Sequence, residues 1–110
     1  MVDVQTQFQK VTIARNKWWG KVLYLDNEVN VTERDEFVYH EMIVHVPMLT
    51  HNEPKSVLIV GGGDGAVARE ILKHSNIEKV SMVDIDEEVI KACKEHMPEL
   101  NNGAFDDPRL

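Results

Sequence analysis

The sequence predicts an α/β fold in two parts: a short antiparallel β meander, then the first half of a parallel, doubly wound sheet. Three observations carry this reading. Residues 4 to 31 are rich in β formers punctuated by turn residues. From residue 56 onward, short apolar runs alternate with helical patterns, as in β-α-β units. Between the first such strand and its helix lies "GGGDG", residues 61 to 65, with four glycines in five positions.

The elements follow in order. "QFQKVTIAR" reads as a strand, "NKWWGK" as a turn built on Asn16 and Gly20, and "KVLYL" as a second strand running up to Asp26-Asn27. "NEVNV" supplies a third. Trp18 and Trp19 at the turn are expected to pack over the hairpin, the usual service of aromatic side chains. Thr32 is expected to open a helix, with Thr32 and Asp35 spaced as a capping box. Phe37, Val38, Met42, Val44 and Val46 give that helix a broad apolar face, and Pro47 ends or kinks it. His40 and His45 on this helix do not have the zinc-binding spacing. Five residues separate them by about 140° around the axis, whereas metalloprotease histidines sit four apart on one face.

"HNEPKS" is a polar connection, and residues 51 to 55 are read as a boundary where the pattern changes period. Beyond it "SVLIV" reads as a buried parallel strand, "AVAREILKH" as a helix and "KVSMVDID" as a second strand. "EEVIKACKEHM" is a second helix stopped by Pro98, and "NNGAFDDPRL" is a turn-rich segment. The organisation expected is a β-hairpin or meander unit over residues 1–31 and a nucleoside-binding unit over 32–110. Two α/β strands fall short of the five or more of a doubly wound sheet, so the second unit reads as truncated.

Composition removes several function classes. Nineteen acids against twelve bases leave a formal charge of −7, which opposes binding that tracks nucleic-acid phosphates. The same balance is compatible with a cationic substrate. Cys93 is the only cysteine, so no intrachain disulfide forms and a cytoplasmic setting is expected. The longest apolar runs are about four residues, too short to span a membrane. "MVDVQTQFQK" has no apolar core of the secretory kind.

The glycine loop carries the chemistry. Gly61-x-Gly63-x-x-Ala66 fits the dinucleotide fingerprint between strand and helix, and Asp84 follows about twenty residues on, at the tip of the next strand. A carboxylate there suits ribose hydroxyls; Asp86 is better placed to cap the following helix. Asp64 is the anomaly. A pyrophosphate lies where backbone N–H groups and the helix dipole favour anions, and a carboxylate about 4 Å away repels it by several kcal/mol at intermediate dielectric. No Gly-Lys-Ser/Thr follows the loop, so the phosphate-loop motif is absent. The ligand indicated is a nucleoside with positive charge where a dinucleotide has phosphate, and S-adenosyl sulfonium compounds fit. Asp64 also suits a simple helix-capping role, and it can serve both.

At this point a family resemblance enters. "VLYLDNEV", "TERDEFVYHEMIVHVPMLTH", "VLIVGGGDGAVARE" and "DDPR", in this order, resemble the motifs of the polyamine aminopropyltransferases, the spermidine synthase family, over almost the whole chain. The resemblance implies a Rossmann-like sheet of the S-adenosylmethionine-dependent methyltransferase type. It implies transfer of aminopropyl from decarboxylated S-adenosylmethionine to putrescine, giving spermidine and methylthioadenosine, with no prosthetic group and with homo-oligomer (dimer or tetramer) assembly. By position, Gln9 resembles the glutamine that contacts the nucleoside donor, with Gly61, Gly62 and Gly63 forming the donor loop. Tyr39 and His40 resemble the pair on the polyamine side, Asp64 the acid that holds the amine, and Asp84 the acid on the ribose. Asp84 stands where the family commonly has Glu, and Asn27 and Asn30 replace Gly and Gln in its L-D-G-V-V-Q run. The family's general base is an Asp well downstream of D-D-P-R, so the resemblance assigns no catalytic base up to Leu110 and implies an inactive, incomplete chain. Three other readings remain from the residues alone: a methyltransferase, a dinucleotide oxidoreductase, and a non-catalytic assembly module.

Overall fold

A computed structural model describes residues 2–110. Strands β1 (Val2–Gln5), β2 (Lys10–Asn16), β3 (Gly20–Leu25) and β4 (Glu28–Thr32) form an antiparallel sheet in sequence order, one strand more than the sequence reading counted. Asn16 builds the turn between β2 and β3, its Oδ1 accepting from the backbone N–H of Trp18 at 2.8 Å and of Trp19 at 3.3 Å. The two indoles do not cover the hairpin as expected. Trp18 is 63% and Trp19 45% exposed, because the turn is held by backbone-to-Asn16 bonds and projects both rings outward. Asp26 and Asn27 both adopt positive φ, the backbone of a two-residue turn that follows the twist of the strands. The register of β3 and β4 then skips Asn30, with Tyr24 opposite Val29 and Leu23 opposite Val31, so Asn30 is the extra residue of a bulge.

Thr32 ends β4 rather than starting a helix. It lies opposite Val22 in the sheet, and its hydroxyl donates to the Asp35 carboxylate, closing a turn between strand and helix. Helix α1 runs Glu36–Thr50. Pro47 does not end it: the helix runs through Pro47 to Thr50, and His51 N–H bonds Pro47 O at 3.0 Å. The helix buries a narrow stripe of His40, Val44 and Met48, one residue per turn. Of the expected apolar face only Val44 is inside; Phe37, Val38, Met42 and Val46 are exposed.

Strand β5 (Ser56–Val60) pairs in parallel with β6 (Lys79–Val83), and helix α2 (Ala66–Leu72) connects them. Helices α3 (Glu87–His96) and α4 (Pro98–Asn101) and a 3-10 turn, Ala104–Asp106, follow. Val44, Met48, Ile59, Ala68, Ile71 and Val80 form one core. The segment 51–55 is therefore a connection inside a packed unit, not a boundary. A second core joins Val11, Ile13, Leu23 and Val31 of the meander to Val89, Cys93, Met97 and Leu100. Strand β5 is not buried on both faces as expected. Ile59 faces the core, while Leu58 and Val60 are 63% and 84% exposed, since packing helices cover only one face of the pair. Among the described residues no helix is long and apolar enough to cross a membrane.

Arg109 of the "DDPR" segment is a clasp. Its guanidinium donates to the carbonyl of Leu72 at the end of α2 and to those of His74 and Ile77 beyond it, and pairs with Asp107, while its own carbonyl receives Val80 N–H at 2.7 Å. One orphan carbonyl at the C-terminus of α2 is thereby satisfied. Between α1 and α2, Glu70 is 1% exposed and receives Lys73 Nζ at 2.7 Å, His45 Nε2 at 2.8 Å and Arg69 Nε at 3.0 Å. Burial pushes the Glu70 carboxyl up, and the bonds from Lys73, His45 and Arg69 outweigh it, leaving the group below its ordinary 4.5. Glu36 behaves alike: burial raises it, and bonds from Arg69 and His40 bring it below 4.5.

A depressed carboxyl stabilises the fold fully above its unfolded value, and the contribution is lost as pH falls through the lower folded value. Thermal melts followed by circular dichroism should therefore show the chain losing stability below pH 4.5. Glu70→Gln should melt lower at neutral pH, and its deficit against the wild type should shrink as pH falls through that window.

Candidate functional site

Loop residues 61 to 65 are shaped by the absence of side chains. Gly61, Gly62 and Gly65 have φ near +80° (85°, 79° and 83°), a region that L side chains rarely enter. Gly63 has an ordinary φ, but a Cβ on it would lie 2.8 Å from Asp84 Oδ2. Gly65 lies so close to Asn101 and Phe105 that a Cβ would fall 2.6 Å and 2.8 Å from them. The loop therefore lies between β6 on one side and the α4 region on the other, with no room for a methyl group at Gly63 or Gly65.

Asp84 fixes the first side. Its Oδ2 accepts from Gly63 N–H at 2.9 Å and its Oδ1 from Asp86 N–H at 2.9 Å, tying together the two loops at the strand tips. Each oxygen retains a lone pair, so a diol can still be received. Asp86, as expected, caps α3 by accepting from Glu88 N–H at 3.1 Å. It also does something the sequence did not announce. Its Oδ2 receives Thr6 Oγ1 at 2.8 Å and Gln9 Nε2 at 3.0 Å, and with 1% exposure it fastens the meander to the sheet. Gln9 is thus brought beside the Asp84 region through Asp86 rather than by a bond to the loop.

Asp64 divides its two oxygens. Oδ1 accepts from Ala66 N–H at 2.7 Å and holds the entry to α2; Oδ2 lies 3.9 Å from His40 Nε2. Both residues border a cleft of about 1020 Å³ between α1 and β5, which Tyr39 and Asn30 also line. Asp64 is 7% and His40 2% exposed, whereas Tyr39 is 62% exposed with its ring edge-on to the imidazole at 5.2 Å. Cys93 lies beneath the loop, its thiol pushed up to about 12 by burial and then by the charges of Asp64 and Asp84. The thiol is held protonated and inert. His40 and His45 serve different partners, His40 meeting Glu36 and Asp64, His45 meeting Glu70 and His74.

The geometry therefore offers a glycine-backbone cradle, a carboxylate with capacity for a diol on one side, and a half-free carboxylate beside an imidazole on the other. Comparison with known proteins gives this arrangement a lineage. Residues 36–110 match the model of the spermine/spermidine synthase domain, and residues 1–33 match that of the spermidine synthase tetramerisation domain. The chain belongs to the spermine/spermidine synthase family.

It is 52% identical over 108 residues to the polyamine aminopropyltransferase of Ruegeria sp. (strain TM1040), covering 98% of this chain and 38% of that one. Polyamine aminopropyltransferase 1 of Pseudomonas aeruginosa is 49% identical over the same length, again at 98% and 38% coverage. The crystal structure of spermidine synthase from Thermotoga maritima superposes with a TM-score of 0.95 at 45% identity, covering 99% of this chain and 38% of that one. A spermidine synthase solved in complex with the transition-state analogue AdoDATO gives the same TM-score and identity. The chain thus spans about 38% of the length of the curated relatives it matches, and its fold is the β meander and Rossmann-like opening of that family.

Of the residues read from sequence, Gly61 to Gly63, Asp64 and Asp84 come together at the loop, with His40 and Tyr39 on its α1 side and Gln9 on its meander side. Sequence reasoning missed Glu36, Arg69 and the tether on Asp86. The four-residue spacing of Glu36 and His40 on one helix face was a usable signal for the first.

Gly63→Ala should dislodge the Asp84 carboxylate and break its bond to the residue 63 amide. Amide exchange at that position should quicken relative to the wild type, while the meander amides of β2 and β3 should stay protected.

Proposed function

We propose that this chain is the donor- and amine-binding part of a polyamine aminopropyltransferase. The reaction is transfer of aminopropyl from decarboxylated S-adenosylmethionine to putrescine, with spermidine and methylthioadenosine as products. The carrying observation is the divided Asp64 carboxylate, with one oxygen spent on the loop and the other aimed past His40 into the cleft. A dinucleotide pyrophosphate is repelled there, whereas an ammonium is attracted. Asp84, across the loop, takes the ribose hydroxyls; Gly61, Gly62 and Gly63 let the nucleoside approach backbone; Gln9 contacts the donor, and Tyr39 and His40 flank the polyamine.

The chemistry asks mainly for alignment. The acceptor amine nitrogen forms a bond to the carbon beside sulfur, the C–S bond breaks, and its electron pair goes to sulfur, neutralising the sulfonium. The nitrogen sheds a proton to a base, because amines of pKa near 10 arrive protonated. Holding both ends in line supplies most of the acceleration. The residues of this chain bind and orient; none of them is assigned the proton transfer. No prosthetic group is required, and a cytoplasmic setting belongs to the same reading, supported by the single buried thiol.

Assembly is the second half of the proposal. Residues 1–31 serve oligomerisation and lend Gln9 to the donor site, and 32–110 carry the rest of ligand binding. Support comes from the tetramerisation-domain match and from the exposure of Trp18, Trp19 and Val29 on the meander and of Leu58, Val60, Val83 and Ile85 on the sheet. Apolar surface of this extent on one small domain marks an interface.

Calorimetric titration tests the site. Asp64→Asn should weaken decarboxylated S-adenosylmethionine by about 1.5–3 kcal/mol, the worth of a charged hydrogen bond, and methylthioadenosine, which lacks the amine, far less. Asp84→Ala should weaken both nucleosides alike. Equal losses in the Asn variant would reduce Asp64 to loop architecture. Light scattering at micromolar concentration should give a mass above that of one chain; a monomer would refute the assembly half.

A further inference from the structure

Glu36 and Arg69 have no part in the ligand roles assigned so far, yet they form a closed polar group beside the cleft. Glu36 Oε2 lies 2.6 Å from His40 Nδ1, one helical turn away on α1. Arg69 of α2 grips the same carboxylate with both arms, NH1 to Oε1 at 3.1 Å and NH2 to Oε2 at 3.0 Å. The guanidinium is itself anchored, through NH1 to Leu100 O at 2.9 Å and through Nε to Glu70 Oε1 at 3.0 Å. An Arg–carboxylate fork of this kind fixes orientation as well as charge.

The consequence falls on the imidazole. An ionised carboxylate only accepts hydrogen bonds, so the atom at 2.6 Å must donate, and Nδ1 carries a proton. In the neutral ring this makes Nε2 the lone-pair atom. Nε2 makes no hydrogen bond among the described residues; Asp64 Oδ2 lies 3.9 Å from it and also only accepts. Two acceptors side by side at a cleft wall, with no donor between them, form a receptor for a group rich in N–H. Tyr39 stacks with the imidazole in a T-shaped arrangement, ring centroids 5.2 Å apart.

We infer that Glu36, clamped by Arg69, is a positioning residue that holds His40 as the Nδ1–H tautomer, so that Nε2 and Asp64 together accept hydrogen bonds from a ligand ammonium. Were the proton on Nε2, it would turn towards Asp64 and close the receptor on itself. The ligand half of this inference rests on the aminopropyltransferase reading; the tautomer half does not.

The test is long-range 1H–15N correlation on the 15N-histidine-labelled chain at about pH 8.5, well above the ordinary imidazole value of about 6.5. Wild-type His40 should show a protonated Nδ1 and a bare Nε2. In Glu36→Ala the proton should move to Nε2, and affinity for decarboxylated S-adenosylmethionine should fall about tenfold or more, as loss of a hydrogen bond to a charged group requires, while methylthioadenosine, which lacks the amine, should bind as before. A wild-type ring protonated at Nε2, alone or with Nδ1, overturns the inference. So does a folded Glu36→Ala chain with an unchanged tautomer or unchanged affinity for the aminated nucleoside. Should Glu36→Ala lose its dispersed amide spectrum, the wild-type tautomer alone decides. A wild-type chain with the Nδ1–H tautomer that binds neither nucleoside refutes the functional reading and leaves the Glu36 assignment standing.

Discussion

The glycine loop at the β5–α2 turn is the constraint on which the rest of the structure depends. Three glycines at positive φ bend the chain sharply enough to bring Gly63 N–H onto Asp84 and Asp64 onto the start of α2. Because Gly63 and Gly65 touch neighbours where side chains would stand, the loop also sets how closely β6 and α4 approach α2. Site geometry and packing are therefore one problem, and the same small residues solve both.

A continuous polar chain runs outward from that loop. On one side it passes from Asp84 through Asp86 to Thr6 and Gln9 of the meander. On the other it passes from Asp64 across His40 to Glu36, Arg69, Glu70, His45 and His74 at the α1–α2 interface. The buried carboxylates of Glu70 and Asp86 are tolerated because each is met by several donors, whereas Asp64 is met by one, Ala66 N–H. Each link is a hydrogen bond except the 3.9 Å gap between His40 and Asp64. That gap is where the cleft lies, so the break in the network coincides with the place a ligand would complete it.

Packing explains the corrections to the sequence reading as a group. Helix α1 is apolar nearly all round, so its sequence could not say which stripe meets α2; the fold chose His40, Val44 and Met48. Thr32 and Asp35 have the spacing of a cap, yet cross-strand pairing opposite Val22 claims Thr32 for the sheet. Pro47 is carried inside the helix, which continues to Thr50.

What the sequence determined by itself was local: strand and helix periods, the glycine-acid loop, the acid at the second strand tip, and the family order of motifs. These are legible because they depend on backbone conformation and on residues close in the chain. Tertiary structure alone decided the partnerships across long separations. Arg69 meets Glu36, Asp86 receives Gln9 and Thr6, and Arg109 closes over the end of α2. No local pattern encodes such pairs, since the donors and acceptors are common residue types whose meeting depends on how the elements stack. The division of labour between the two oxygens of Asp64 belongs to the same class, because only the packed helix α1 places an imidazole beside one of them.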